Sequence, residues 1–152
     1  MGDRIAVMKD GALQQCASPR EIYDHPVNMY VAGFIGSPKM NFIPVKVSGS
    51  TATSSGFSIE LPSAPGVEKG VLGIRPEDLT DVPREGFPQI EIKVEVVEIL
   101  GSDQYLYGKV GADDLIARVD PQVKVGVGDL VKLSVNMRRL HLFDAESERA
   151  LI

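Results

Sequence analysis

Tryptophan is absent from this 152-residue sequence, aromatic residues make up only 6% of it, and Cys16 is its single cysteine. One cysteine excludes an intrachain disulfide, so nothing points to an oxidising compartment. No apolar run approaches the roughly 20 residues that a membrane helix needs, and no basic-then-apolar leader is visible. Basic charge is scarce too: 16 Lys and Arg stand against 21 Asp and Glu, for a net charge of −5. A nucleic-acid binder needs a basic face to neutralise phosphates, and none is expected here. The one adjacent basic pair, Arg138-Arg139, reads as a solvated strand end. The expectation is an acidic cytoplasmic domain with an ordinary core, since 43% of residues are hydrophobic.

Reactive constellations are missing as well. A phosphate-cradling loop needs a Gly-rich turn ending in Gly-Lys-Ser/Thr, but the only Gly-Lys, Gly108-Lys109, is followed by Val110. Gly126-Val127-Gly128-Asp129 is a lone Gly-x-Gly between strands and reads as a turn. His25 and His141 lie far apart, and one cysteine completes no zinc spacing with them, so both are read as structural. No Gly-x-Ser-x-Gly elbow is present. Glu77, Asp78, Asp113 and Asp114 read as solvated turn carboxylates. Catalytic, cofactor-binding and metal-binding residues are therefore all expected to be none.

What is there is punctuation and alternation. Residues 4–9 and 12–16 flank Asp10-Gly11, a turn that tolerates positive φ, and predict a hairpin. Ser18-Pro19-Arg20-Glu21 predicts a capped helix that ends near His25-Pro26. Met29, Val31, Ala32 and Ile35 give a second helix over 28–35 an apolar stripe, with Gly36 as its stop. These first 38 residues are too few for an independent core and are expected to fray, fold back on the rest, or pair with another copy.

From Met40 the pattern turns to strands: 42–47, 57–61, 70–75, 90–99, 105–110, 115–119, 130–135 and 140–143. Residues 48–56 read as turns and 81–88 as a polar linker. In the strongest strand, Ile90, Ile92, Val94 and Val96 are expected to share one face. Many short strands separated by Gly, Pro and Asp predict a small closed barrel or sandwich.

Several of these segments stand together in an order that resembles a known family. Ile5-Ala6-Val7-Met8-Lys9-Asp10-Gly11, then Gln15 to Pro19 with Glu21-Ile22-Tyr23 and Pro26, resemble the end of the nucleotide-binding domain in MalK-like ATPase subunits of sugar-type ABC importers. Phe34-Ile35-Gly36-Ser37-Pro38 with Met40-Asn41 is similar to the junction into that family's regulatory domain. Gly73 to Asp78, Val96-Val97-Glu98 with Leu100-Gly101, His141-Leu142-Phe143 and residues 148–152 resemble segments of the regulatory domain itself. Cys16-Ala17 departs from the usual Val-Gly.

The resemblance implies a mainly β fold. Residues 1–38 would be the remnant of the ATPase domain, a hairpin and two helices, and residues 39–152 an OB-like regulatory barrel, or TOBE domain. It implies a regulatory and dimerisation role without ATP hydrolysis by this piece; the intact subunit would use ATP and Mg. It implies a second copy as partner, permease subunits through the ATPase domain, and in some members a cytoplasmic regulator, at a site peripheral to the inner membrane. Two other readings stand beside it: an oxyanion-sensing barrel, with Gly- and Ser-rich bends supplying N–H groups, and an oligonucleotide-binding OB-like module. Candidate contacts for a second copy or a regulator are Ile74, Arg75, Glu77, Gly101, Tyr105, Tyr107, His141 and Phe143.

Overall fold

A computed structural model describes residues 3–152; residues 1 and 2 of the N-terminal segment lie outside the described residues. Strands β1 (Ile5–Lys9) and β2 (Ala12–Ala17) form an antiparallel hairpin. Its turn has positive φ at both Asp10 and Gly11, as the primed hairpin turns require. Helix α1 (Pro19–Asp24) starts where Ser18 Oγ accepts the Glu21 amide at 3.2 Å, with Pro19 at its first position. Helix α2 (Met29–Phe34) is capped by Asn28, whose Oδ1 accepts the Val31 amide at 2.9 Å. Hairpin and helices bury a small cluster of their own: Val7, Ala17, Ile22 and Val31, with Tyr30 and Ile35 packed on it. Ile5, Met8, Leu13 and Phe34 stay exposed around it.

Strands β3 (Asn41–Ser48), β4 (Thr51–Thr53), β5 (Ser58–Glu60) and β6 (Lys69–Ile74) follow. A single 3-10 turn, Pro76–Asp78, leads to β7 (Leu79–Thr80), β8 (Gln89–Leu100), β9 (Asp103–Val110), β10 (Asp113–Val119), β11 (Leu130–Val135) and β12 (His141–Asp144). They make two antiparallel five-stranded sheets, ordered β12-β6-β3-β4-β5 and β10-β9-β8-β11-β7. One core joins the two sheets, with Ile43, Leu72, Ile92, Leu106, Leu115, Leu133 and Leu142 fully buried. The fold is the curled, OB-like β architecture that the family resemblance implies, within the mainly β class that the strand spacing predicts. Pro44 sits in β3 where only β6 is paired, since β4 joins β3 from Lys46 onward, so its missing N–H breaks no ladder.

Asn41 fastens the sheets to each other. Its Nδ2 donates to the carbonyls of Ile74 (3.0 Å) and Ile116 (2.8 Å), and its Oδ1 accepts the Ile116 amide at 2.8 Å. One buried amide thus does for the free edge of β10 what a further strand would do.

Two expectations need correction, and one strand went unread. Residues 48–56 are not only turns, because β4 lies within them, and β7 carries too short a signal to be read. Val96 does not share the inner face of β8. The β8–β9 register shifts between Val94 and Val96, so Val96 turns out to 52% exposure while Val97 packs on the core. A bulge inserts one residue and inverts the alternation beyond it. Opposite the bulge, β8 comes so close to Gly108 that a Cβ there would overlap the Lys93 carbonyl. Gly108→Ala is therefore expected to destabilise the fold by about 3 kcal/mol. Gly126→Ala, which meets only an ordinary contact, should stay within about 0.5 kcal/mol of wild type. Urea midpoints of the two variants check this; equal midpoints would remove the close approach as a constraint.

Candidate functional site

The charged centre of the molecule lies where the helices meet the sheets. Arg75 follows β6, and Pro76 opens the next turn, with the Asp78 amide donating to the Arg75 carbonyl at 2.9 Å. Its side chain is 2% exposed. Nη1 donates to the Ile35 carbonyl at 2.9 Å, Nη2 donates to the Tyr23 carbonyl at 3.0 Å, and the guanidinium stacks on the Tyr23 ring at 4.0 Å. Both carbonyls belong to helix C-terminal ends, where backbone acceptors lack intrahelical donors and carry partial negative charge. Neither α1 nor α2 has a basic residue in its last turn. Arg75 supplies to both, from the sheet, the cation that each lacks.

Space around that guanidinium is tight. Gly36 has φ +112°, and a Cβ there would come within 3.0 Å of Arg75 Nη1. Glycine is required by conformation and by proximity together.

Arg139 completes the cluster. Its Nη2 lies 3.1 Å from Asp24 Oδ1 on α1, and its Nε lies 3.2 Å from Asp78 Oδ1. Two guanidinium groups and two carboxylates therefore balance across the junction. The balance is incomplete in detail, since Arg75 Nε and Asp78 Oδ2 are buried without a hydrogen-bond partner. Burial lowers the Arg75 pKa, with the Asp78 charge opposing, but an arginine stays charged in proteins. Burial raises Asp78 above the usual carboxylate range, against the pull of Arg139.

The eight residues singled out from the sequence fall into two groups. Ile74, Arg75, Glu77, His141 and Phe143 stand on or beside β6 and β12, which pair through His141–Gly73 and Phe143–Val71. Ile74 and Phe143 are interior, and Phe143 packs with Ala32 and Met40 and meets Phe42 edge-on at 5.9 Å. Glu77 and His141 are half-buried. Burial, with the nearby Arg75 charge, lowers the His141 pKa. Gly101, Tyr105 and Tyr107 belong to the other sheet. Gly101 makes the β8–β9 bend with φ +59°, Tyr105 is buried, and half-buried Tyr107 donates its hydroxyl to Glu98 at 3.2 Å. Burial, and then Glu98, raises the Tyr107 pKa.

Sequence reasoning missed Tyr23, Asp24, Asp78 and Arg139. Asp78 shares a short motif with Arg75 and could have been coupled to it. Arg139, read as solvated, bridges a carboxylate 115 positions away, and no local signal announces that. Among the described residues no group of three or more His, Cys, Asp or Glu could hold a metal ion.

The raised Asp78 pKa has a sign that can be measured. The folded state takes up this proton more readily than the unfolded chain does, so wild type gains stability as pH falls through the folded value. Asp78→Asn lacks that gain. The stability of wild type relative to Asp78→Asn is expected to rise from about pH 7 to about pH 4, read from urea midpoints. A difference that does not change with pH would show that Asp78 is not desolvated in solution.

Known families map onto this geometry in order. Residues 36–79 match the MalK OB fold domain and residues 72–143 match the TOBE domain. The oligosaccharides import ATP-binding protein MsmX of Bacillus subtilis (strain 168) is 36% identical over 161 residues, covering 97% of this chain and 44% of that protein. The osmoprotective compounds uptake ATP-binding protein GgtA of Synechocystis sp. is 40% identical, covering 99% of this chain and 45% of that protein. The sn-glycerol-3-phosphate import ATP-binding protein UgpC of Cereibacter sphaeroides is 39% identical, covering 99% and 43%. The chain thus spans less than half the length of these relatives. With both domain matches in sequence, and Arg75 and Asp78 within the stretch they share, the chain belongs to the MalK-like family of ABC-importer ATP-binding subunits, of which it carries the OB-fold and TOBE regulatory module.

Proposed function

We propose that this chain is a tether: residues 39–152 form a regulatory domain that pairs with a second copy of itself, and residues 1–38 are the closing segment of an ATP-binding domain. The observation that carries this reading is the ordered pair of domain matches, residues 36–79 and then 72–143, on one continuous core. In the whole subunit, ATP and Mg bind the ATP-binding domain, the permease subunits dock there, and a cytoplasmic regulator meets the barrel. The assembly sits on the inner membrane peripherally; no described helix is long and apolar enough to cross one. The solute is a sugar or a related compound. Relatives named for oligosaccharides, osmoprotective compounds and sn-glycerol-3-phosphate resemble this chain to similar degrees, which supports a solute choice made outside this module.

A tether needs exposed apolar surface on a firm frame. The bulge and bend of β8 supply Val96, Ile99 and Leu100, each more than half exposed. Tyr105 and Phe143 are buried, so substituting either would disturb the core before any interface. Leu100 and Tyr107 are the better probes.

Light scattering behind size exclusion is expected to show a dimer whose midpoint depends on concentration. Leu100→Ser with Tyr107→Ser should weaken it by about tenfold or more. A strict monomer at every concentration would remove self-association by this module.

A further inference from the structure

The boundary near residue 38 has the composition of a linker, with Gly36, Ser37 and Pro38 in succession. Linkers between moving parts are crossed by few contacts. This one is crossed by three separate fastenings of different physical kinds. The first is the Arg75 cluster, which holds the C-terminal ends of α1 and α2 from the sheet side. The second is an apolar seam in which Ala32 packs with Met40 and Phe143, flanked by Met29, Phe42 and Val71.

The third is a strap made by the last residues of the sequence. Glu148 accepts the Met29 amide at 3.0 Å, and the Ala150 amide donates to the Val27 carbonyl at 2.9 Å. On its other side the strap pairs with β12: the Asp144 amide donates to the Arg149 carbonyl at 2.9 Å, and the Leu151 amide donates to the Leu142 carbonyl at 2.7 Å. Residues 148–151 therefore bridge the α1–α2 linker and the edge of the first sheet, through the isolated bridges Asn28–Arg149 and Phe143–Ala150. The linker is held in turn by the hairpin, through Gln15 to the His25 carbonyl (3.1 Å) and the Val27 amide (3.0 Å), and through Gln14 to Asn28 (2.9 Å).

We infer that the junction is a locked joint rather than a hinge: the hairpin, α1, α2 and both sheets move as one body, held by Arg75, the Ala32–Phe143 seam and the 148–151 strap. A displacement imposed on β1–β2 is then delivered to the sheets undiminished, and residues 36–41 are not where the molecule bends. Arg75 is the positioning residue of this joint. It touches both helix ends at once, whereas the seam and the strap touch only α2 and the linker. The inference goes beyond the tether reading and does not depend on it, because it concerns contacts within one chain.

Amide exchange followed residue by residue by NMR on the 152-residue chain tests it. The helix amides of Ile22, Ala32 and Ile35, bonded to Ser18, Asn28 and Val31 carbonyls, are expected to exchange within about tenfold of Leu106 and Leu115 in the sheets. Helices that exchange about a hundredfold or more faster than the sheets in wild type would overturn the locked joint. Arg75→Lys keeps the charge but loses the planar fork. It should speed exchange at Ile22 and Ile35 by about tenfold or more while Leu106 and Leu115 are unchanged. Equal acceleration in helices and sheets would overturn the role given to Arg75. Should that variant fail to fold, Ala150→Pro removes only the amide that reaches Val27. It should speed exchange at Met29 and Ala32 selectively, and no change there would overturn the role of the strap. Unaltered protection on dilution below the dimer midpoint separates this result from self-association.

Discussion

A guanidinium removed from water must find acceptors, and where Arg75 finds them decides how the two parts of this molecule sit together. Its acceptors are the Tyr23 and Ile35 carbonyls at the ends of two six-residue helices. Helices so short gain little from propensity or cooperativity and depend on tertiary partners. Removing one partner from a buried charge costs about 3–5 kcal/mol, because the other is left unpaired. The i,i+4 pair Arg20–Asp24 stands differently, since Arg20 is 90% exposed and pairs of that kind contribute little. Asp24 counts because of its second partner, Arg139, which also reaches Asp78. The arrangement near Arg75 follows from it: glycine at position 36, Tyr23 flat against the cation, and a carboxylate close by at Asp78.

The sheets obey a comparable constraint, in which one small or polar residue permits what many apolar ones then stabilise. Gly108 lets β8 approach, the bulge after Val94 turns the strand, and Asn41 seals the edge of β10 to the first sheet. The core residues Ile43, Leu72, Ile92, Leu106 and Leu133 supply the larger share of the free energy, at about 25 cal/mol per Å² of apolar surface buried. They could be exchanged for other apolar residues of similar volume more readily than Asn41 or Gly108 could be replaced.

What depends on neighbours in sequence was legible from it. Asp10-Gly11, the Ser18 cap, the apolar stripe of α2 and the alternation through Ile43, Val45 and Val47 each rest on a few adjacent residues, and each element forms where they stand. The outward turn of Val96 was not legible, because the bulge is a property of the β8–β9 pair and of the glycine opposite. Arg139 was misread for a similar reason, its carboxylates arriving from α1 and from the turn after β6. Tyr105 and Phe143 were singled out as candidate contacts, yet both are buried. Phe143 is interior because α2 covers it through Met29 and Ala32, a contact with no local signature.

Shape, stiffness and exposed surface are what this regulatory module offers a partner. Most of the exposed large apolar side chains among the described residues fall on two sets of elements, Val27, Val82 and Leu151 lying outside both. Ile5, Met8, Leu13 and Phe34 belong to the hairpin and α2, while Val96, Ile99, Leu100, Val127 and Leu130 belong to β8 and to the loop and strand beside it. Each set alone is the kind of surface that invites a partner. If the junction bent freely, the two surfaces would be independent, and engaging one would carry no consequence for the other. The Arg75 cluster, the Phe143 seam and the 148–151 strap remove that freedom, so occupation of one surface fixes the orientation of the other without any change of fold. Coupling of this kind needs no second conformation in the module itself; the two states belong to whatever its two surfaces hold.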